Sequence, residues 1–153
     1  LRQQPVASDL RFISAAMKVV TDVERIGDHA ADIAEIVPHL AGVRKAGDPA
    51  VSRSIEMGRK AHKMLQDAMS AFAAEDEAAA KAVIDADDAV DYDFNTIKRM
   101  LAAEIAADSG KVDAALDVLM VIKYLERIGD HAVNIAEWVE FLRTGRYHHE
   151  KMF

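Results

Sequence analysis

A seven-residue phrase that occurs twice limits the fold of this chain more than any other feature. Glu-Arg-Ile-Gly-Asp-His-Ala fills residues 24–30 and again residues 126–132, at an offset of 102. When the alignment is extended to residues 24–37 and 126–139, eleven of the fourteen positions are identical. An internal repeat of this kind indicates duplicated structural units. We therefore expect two equivalent elements, each belonging to its own unit.

The spacing of apolar residues predicts that both copies are helices. Only three prolines and seven glycines interrupt the 153 residues, and alanine is abundant, which favours long helices over sheets. The first helix is predicted over residues 8–37, with Ser8 and Asp9 as capping residues and Pro38 as its end. Three further helices are predicted from their apolar faces and their capping or breaking residues: 48–73, 76–107 and 111–143.

Short turns join the last three helices, and short turns favour antiparallel neighbours. The sequence therefore predicts an all-α fold, in which an up-down three-helix bundle is preceded by one long helix left from a truncated first bundle. We divide the chain into the last helix of that first bundle, a connector, the complete second bundle and a tail: residues 1–38, 39–47, 48–146 and 147–153. The first helix is expected to stand apart with an apolar stripe that includes Val20 and Ile26. Either docking on the intact bundle or pairing with the same helix of another copy would cover this stripe, and we favour a homo-oligomer.

Composition excludes several classes of function. The net charge is −7, and the lysines and arginines form no basic run, so nucleic-acid binding is not expected. No apolar stretch approaches the roughly 20 residues that span a bilayer, so membrane insertion is not expected either. The chain has no cysteine, which rules out thiol catalysis, disulfides and cysteine-rich zinc sites. These features predict a cytoplasmic protein.

Each copy of the repeat carries a pair of carboxylates. Glu24 and Asp28 lie four residues apart in the first copy, as do Glu126 and Asp130 in the second. At 3.6 residues per turn, both side chains of a pair share one face of the helix. Neighbouring like charges repel each other, so each pair calls for a positive partner unless it is well solvated.

A third pair, Asp87 and Asp91, is predicted to face the second copy. Asp91 lies about as far before the turn near Ser109 as Glu126 lies after it, roughly 26 Å at 1.5 Å per residue. Asp87 and Asp130 lie about one turn further along. In an antiparallel hairpin the four carboxylates Asp87, Asp91, Glu126 and Asp130 should therefore converge.

Several anions in a partly buried seam cost several kcal/mol each before their mutual repulsion is counted. Basic partners, protonation or a bound cation can relieve this cost. Oxygen ligands suit magnesium, calcium, manganese or ferric iron, and zinc also accepts carboxylates. The alternative is that these pairs lie on solvated helix faces without any ligand.

The other residues of the repeat are less informative. Gly27 and Gly129 cost roughly 1 kcal/mol each inside a helix relative to alanine, so they indicate close helix packing or access for an ion. His29 and His131 follow the aspartates by one residue and point about 100° away from them. A direct role as metal ligands is therefore the less favoured interpretation for the two histidines.

The duplicated Glu-Arg-Ile-Gly-Asp motif resembles the repeated metal-binding signature of the PhoU family. Residues 4–11, before the first copy, and residues 87–91, in the third helix, resemble further phrases of that family. The resemblance covers nearly the whole chain. It implies two similar three-helix bundles, each with a carboxylate cluster that takes metal ions.

Carried over residue by residue, the resemblance implies a metal cluster of Asp87, Asp91, Glu126 and Asp130 in the second bundle. Glu24 and Asp28 would belong to the first-bundle cluster, whose other half is not in this sequence. The implied function is inhibition of phosphate uptake and of the phosphate-starvation response, not catalysis. The implied partners are the phosphate-specific ABC transporter and a membrane sensor histidine kinase.

Two alternatives differ in class from a metal-binding regulator. A carboxylate-bridged dimetal oxidase would be expected to carry Glu-x-x-His motifs, and none occurs here. No phosphate-binding loop or dinucleotide fingerprint is present either. A purely structural module for dimerisation or for joining other proteins shares the helical faces and needs no metal.

Overall fold

The structure is a computed structural model that describes the backbone of residues 3–145 and the side chains of residues 6–145. The described chain forms four long helices and a short 3-10 helix, with no strand among these residues: α1 (Gln3–Ala41), α2 (Pro49–Ala74), α3 (Glu77–Ala107), η1 (Ser109–Lys111) and α4 (Val112–Thr144). This confirms the all-α prediction. The tail predicted over residues 147–153 lies outside the described residues.

Local signals position the helices of the bundle as predicted. Asp48 accepts hydrogen bonds from the backbone N–H groups of Ala50 and Val51, and Pro49 opens α2. Asp76 caps α3 by accepting a hydrogen bond from a backbone N–H group of the first turn. Gly145 adopts a positive φ of 71° just after α4, a conformation that glycine tolerates at a helix end.

The predicted limits of the first helix are wrong at both ends. α1 begins at Gln3 instead of Ser8, and it runs through Pro38 to Ala41. Pro38 lies in the last turn, where its missing N–H removes a single intrahelical bond. The side chain of Leu40 packs against the core, which offsets that loss. The connector is correspondingly shorter than the predicted 39–47.

α2, α3 and α4 each pack against the other two, and α1 packs along α4. The expectation that the first helix stands apart is therefore wrong. α4 is apolar on both sides and buries Ile122, Ile135 and Trp138 almost completely, as expected for a helix covered all round. Within the described residues, no helix is both long and apolar enough to cross a membrane.

α1 docks on α4 because it carries a second apolar face. Ala15, Val19 and Ile26 are buried in the core, so the predicted stripe joined residues of two different faces. The remaining apolar residues, which we call the outer face of α1, are all more than half exposed: Val6, Leu10, Ile13, Met17 and Val20.

The α1–α4 contact is nearly two-fold symmetric about the two histidines of the repeat. The rings of His29 and His131 stack with centroids 5.5 Å apart. On one side, Asp22 Oδ1 lies 2.9 Å from His131 Nδ1; on the other, Tyr124 stacks on His29 at 5.7 Å. Residues 22 and 124 are equivalent at the offset of 102. Burial is the main cause that lowers the pKa of His29, followed by the charges of His131 and Arg127.

Candidate metal site

Four carboxylates group where α3 and α4 lie side by side, and we call them the acidic cluster: Asp87, Asp91, Glu126 and Asp130. Gly129 of α4 lies next to Asp87 of α3. A Cβ on this glycine would lie 3.4 Å from Asp87 Oδ1 and 3.6 Å from Val90 Cγ1. The α3 carboxylate therefore rests against the α4 backbone, at the position where the repeat has no side chain.

The carboxylates lie within one another's electric field. Burial first, and then the charges of Asp91 and Asp130, raise the pKa of Asp87 from 3.8 to about 6. Burial also raises the pKa of Asp91, with the charge of Glu126 as the next cause. Asp130 is exposed as a residue, but neighbouring atoms crowd its carboxyl group. This partial desolvation raises its pKa, again followed by the charge of Glu126.

One lysine partly neutralises the acidic cluster. Lys123 Nζ donates a hydrogen bond to Glu126 Oε1 over 2.7 Å and lies 5.5 Å from the centre of the Phe94 ring. Its positive charge lowers the pKa of Asp91 and Asp130, against the effect of the carboxylates. Sequence reasoning missed Lys123, although its position three residues before Glu126 places it on the same helix face.

An unsatisfied oxygen indicates that the acidic cluster suits a cation. Asp87 Oδ1 is buried and accepts no hydrogen bond from the described residues, an arrangement that costs free energy unless a partner arrives. No three Asp, Glu or His side chains in residues 6–145 form a ready-made cage for one metal ion. Carboxylate side chains would therefore have to rotate inward before oxygen ligands could surround a hard cation.

The first copy of the repeat occupies a different environment. Glu24 and Asp28 are exposed, and a Cβ on Gly27 between them would meet nothing within 4 Å. The structure thus does not bring these two carboxylates together with the acidic cluster. The two histidines that follow the motif lie instead at the α1–α4 contact. Sequence reasoning also missed Asp22, a buried partner of His131 that only the docking of α1 reveals.

Comparison with known proteins identifies the family. The model of the PhoU domain matches residues 1–37 and 55–139. The chain belongs to the PhoU family. A PhoU homologue of the phosphate-specific transport system from Clostridium acetobutylicum is 39% identical over 145 residues, which cover 94% of this chain and 65% of that protein. A homologue from Pseudomonas aeruginosa is also 39% identical and is covered over 59% of its length.

Solved PhoU structures share the fold. The crystal structure of PhoU from Pseudomonas aeruginosa superposes with a TM-score of 0.85 at 38% identity, covering 94% of this chain and 68% of that one. The phosphate transport regulatory protein PhoU from Streptococcus pneumoniae gives a TM-score of 0.80 at 29% identity, covering 92% of this chain and 65% of that one. The chain thus spans roughly three fifths of the length of the Clostridium and Pseudomonas relatives.

Proposed function

We propose that this PhoU-family chain belongs to a cytoplasmic regulator of phosphate uptake, and that the acidic cluster binds a metal ion. Membership of the family and the names of its relatives, accessory proteins of phosphate-specific transport, support the regulatory role. The proposal includes no catalytic step. Manganese, magnesium, calcium, iron and zinc are all compatible with carboxylate ligands.

The observation that carries the metal proposal is Asp87 Oδ1, buried and without a hydrogen bond beside Gly129. A cation held by this oxygen and by Asp91, Glu126 and Asp130 would neutralise charges that now repel one another. The bound ion would supply positive charge and tie α3 to α4.

Binding of a cation should raise the thermal stability of the chain. The unfolded chain lacks the assembled cluster, so linkage gives about 2.7 kcal/mol when the free cation is at 100 times its Kd. We expect the double substitution Asp91→Asn with Glu126→Gln to remove the shift in melting temperature produced by manganese. Differential scanning calorimetry with and without the cation measures it.

The repeat supplies a matched control. Glu24→Gln with Asp28→Asn removes the same charge and the same residue types from α1, where no facing carboxylate pair lies nearby. This variant should keep the manganese-dependent shift. An unchanged shift in the Asp91 and Glu126 variant would place the cation site elsewhere, and a shift absent from the unaltered chain would refute the metal proposal.

The proposed partners are the phosphate-specific ABC transporter and a membrane sensor histidine kinase. We expect immobilised transporter, solubilised in detergent, to retain the protein when manganese is present. If the transporter contacts the α3–α4 seam and the cation stiffens it, the Asp91 and Glu126 double variant should be retained more weakly than the α1 control variant. Equal retention of both variants would show that transporter binding does not depend on the acidic cluster. No retention of the unaltered protein would contradict the proposal that the transporter is a partner.

We also propose that a second copy of the chain covers the outer face of α1. Its five apolar residues follow one another at intervals of four, three, four and three residues, the spacing that packs one helix along another. The same face on a second copy would pair with it about a two-fold axis. The corresponding face of α4 is covered by α2 and α3.

A further inference from the structure

Lys123 lies at the edge of the acidic cluster without belonging to it. Its ammonium group donates to Glu126 over 2.7 Å, and the Glu126 side chain is only 17% exposed whereas that of Lys123 is 42% exposed. The glutamate is therefore the more buried partner of the pair, and the lysine side chain faces solvent more. The ammonium group of the lysine thus already pairs with one of the carboxylates that a metal ion would use.

The repeat shows that this lysine is not a structural requirement of the motif. At the offset of 102, Lys123 corresponds to Thr21. The hydroxyl of Thr21 donates to the backbone carbonyl of Met17 and leaves Glu24 without a fixed cation of this kind. The helix and its acidic pair thus occur with and without the lysine. The ammonium group distinguishes the second copy.

We propose that Lys123 is a built-in counter-ion that competes with the bound metal ion for Glu126 and so sets the cation affinity of the acidic cluster. The inference rests on the metal binding proposed above. Without a metal ion, the ammonium group offsets part of the repulsion among the four carboxylates. When a metal ion takes Glu126, the lysine is displaced.

The surroundings of Lys123 allow that displacement. The ring of Phe94 lies 5.5 Å from the ammonium group, and a cation over an aromatic face is held weakly when it is exposed to solvent. The side chain can therefore leave Glu126 and remain over the ring or enter solvent. A metal ion gains a carboxylate only by breaking the lysine contact, which lowers its apparent affinity.

Calorimetric titration with manganese at neutral pH tests the competition. Lys123→Met keeps the length of the side chain and removes the competing charge, and it should lower the Kd roughly fivefold, in keeping with the modest strength of a half-exposed ion pair. Lys98→Met is the matched control. Lys98 lies over the same Phe94 ring at 5.7 Å and forms no ion pair with a described carboxylate, so its removal should change the Kd less than twofold.

Thermal unfolding provides a second readout. Without metal, Lys123→Met should melt at a lower temperature than the unaltered chain, and saturating manganese should raise its melting temperature by more than it raises that of the unaltered chain. A Kd that is unchanged or increased in Lys123→Met, while the unaltered chain binds manganese, overturns this inference alone. Absence of binding in both proteins overturns the metal proposal and the inference together, whereas binding only in Lys123→Met supports the inference.

Discussion

Asp87→Asn is expected to stabilise the metal-free chain at neutral pH and to abolish its response to metal ions. Asparagine has nearly the shape of aspartate and carries no charge. It therefore removes the cost of burying an anion and the repulsion from Asp91 and Asp130, both of which raise the pKa of Asp87. A substitution that improves stability while destroying a site is typical of residues kept for function.

The size of the gain follows from the pKa of Asp87. The pKa of Asp87 is about 6 in the folded chain, against an ordinary value of 3.8. The ionised carboxylate therefore destabilises the folded state by up to about 3 kcal/mol. Solvent screening at a partly exposed site reduces this, so we expect a gain of about 1–3 kcal/mol. Urea unfolding at neutral pH in the presence of a chelator measures it.

The gain should depend on pH in a defined direction. Because folding raises the pKa of Asp87, its neutral form favours the folded state below about pH 4, and this advantage is lost as the pH rises through about 6. Asp87→Asn should therefore match the unaltered chain near pH 4 and exceed its stability increasingly between pH 4 and pH 6. Above that range the difference should be constant.

Metal ions should reverse the order of stability. The unaltered chain should gain stability as manganese saturates the acidic cluster, whereas Asp87→Asn lacks the buried carboxylate oxygen and should gain little. Asp85→Asn is the control, because Asp85 lies on the same helix in an exposed pair with Lys81, and it should change stability by less than about 1 kcal/mol. A destabilised Asp87→Asn at neutral pH without metal would contradict the electrostatic account of the cluster.

Local chemistry made most of the bundle predictable from the sequence. Asp48, Asp76 and Gly145 satisfy or end the helix backbone by themselves, so their positions mark the ends of α2, α3 and α4 without knowledge of the tertiary structure. Equal distances from the turn near Ser109 likewise place the α3 and α4 carboxylates at one level, since helical rise is constant.

The errors arose where tertiary packing decides the outcome. Pro38 ends a helix by local rules, yet the burial of Leu40 in the last turn outweighs one lost hydrogen bond. The docking of α1 depends on two apolar faces that overlap in the sequence. Only the position of α4 decides that Val19 is buried and Val20 is exposed. Lys123 was missed because a lysine three residues before a glutamate is common on solvated helix faces. Only the facing carboxylates of α3 give this contact a role.

Ile122→Ala is expected to reduce the stability of the chain far more than Val20→Ala, although the two positions are equivalent in the repeat. Ile122 of α4 is fully buried in the core of the bundle, whereas Val20 is 64% exposed on the outer face of α1. Truncating Ile122 should destabilise the chain by about 2–5 kcal/mol, since it loses buried apolar surface and leaves a cavity. At low protein concentration, Val20→Ala should change the stability by about 0.5 kcal/mol or less.

Protein concentration then tests the proposed self-association. If a second copy covers the outer face of α1, light scattering should show dimers as the concentration rises, and Val20→Glu should dissociate them while leaving the helix content and the monomer stability unchanged. Ile26→Glu cannot serve the same purpose, because Ile26 is buried against α4 and a charge there would detach α1 from the bundle. A chain that stays monomeric at every concentration would refute the second copy as the partner. A cost for Val20→Ala as large as that for Ile122→Ala at low concentration would show that the chain itself buries this face.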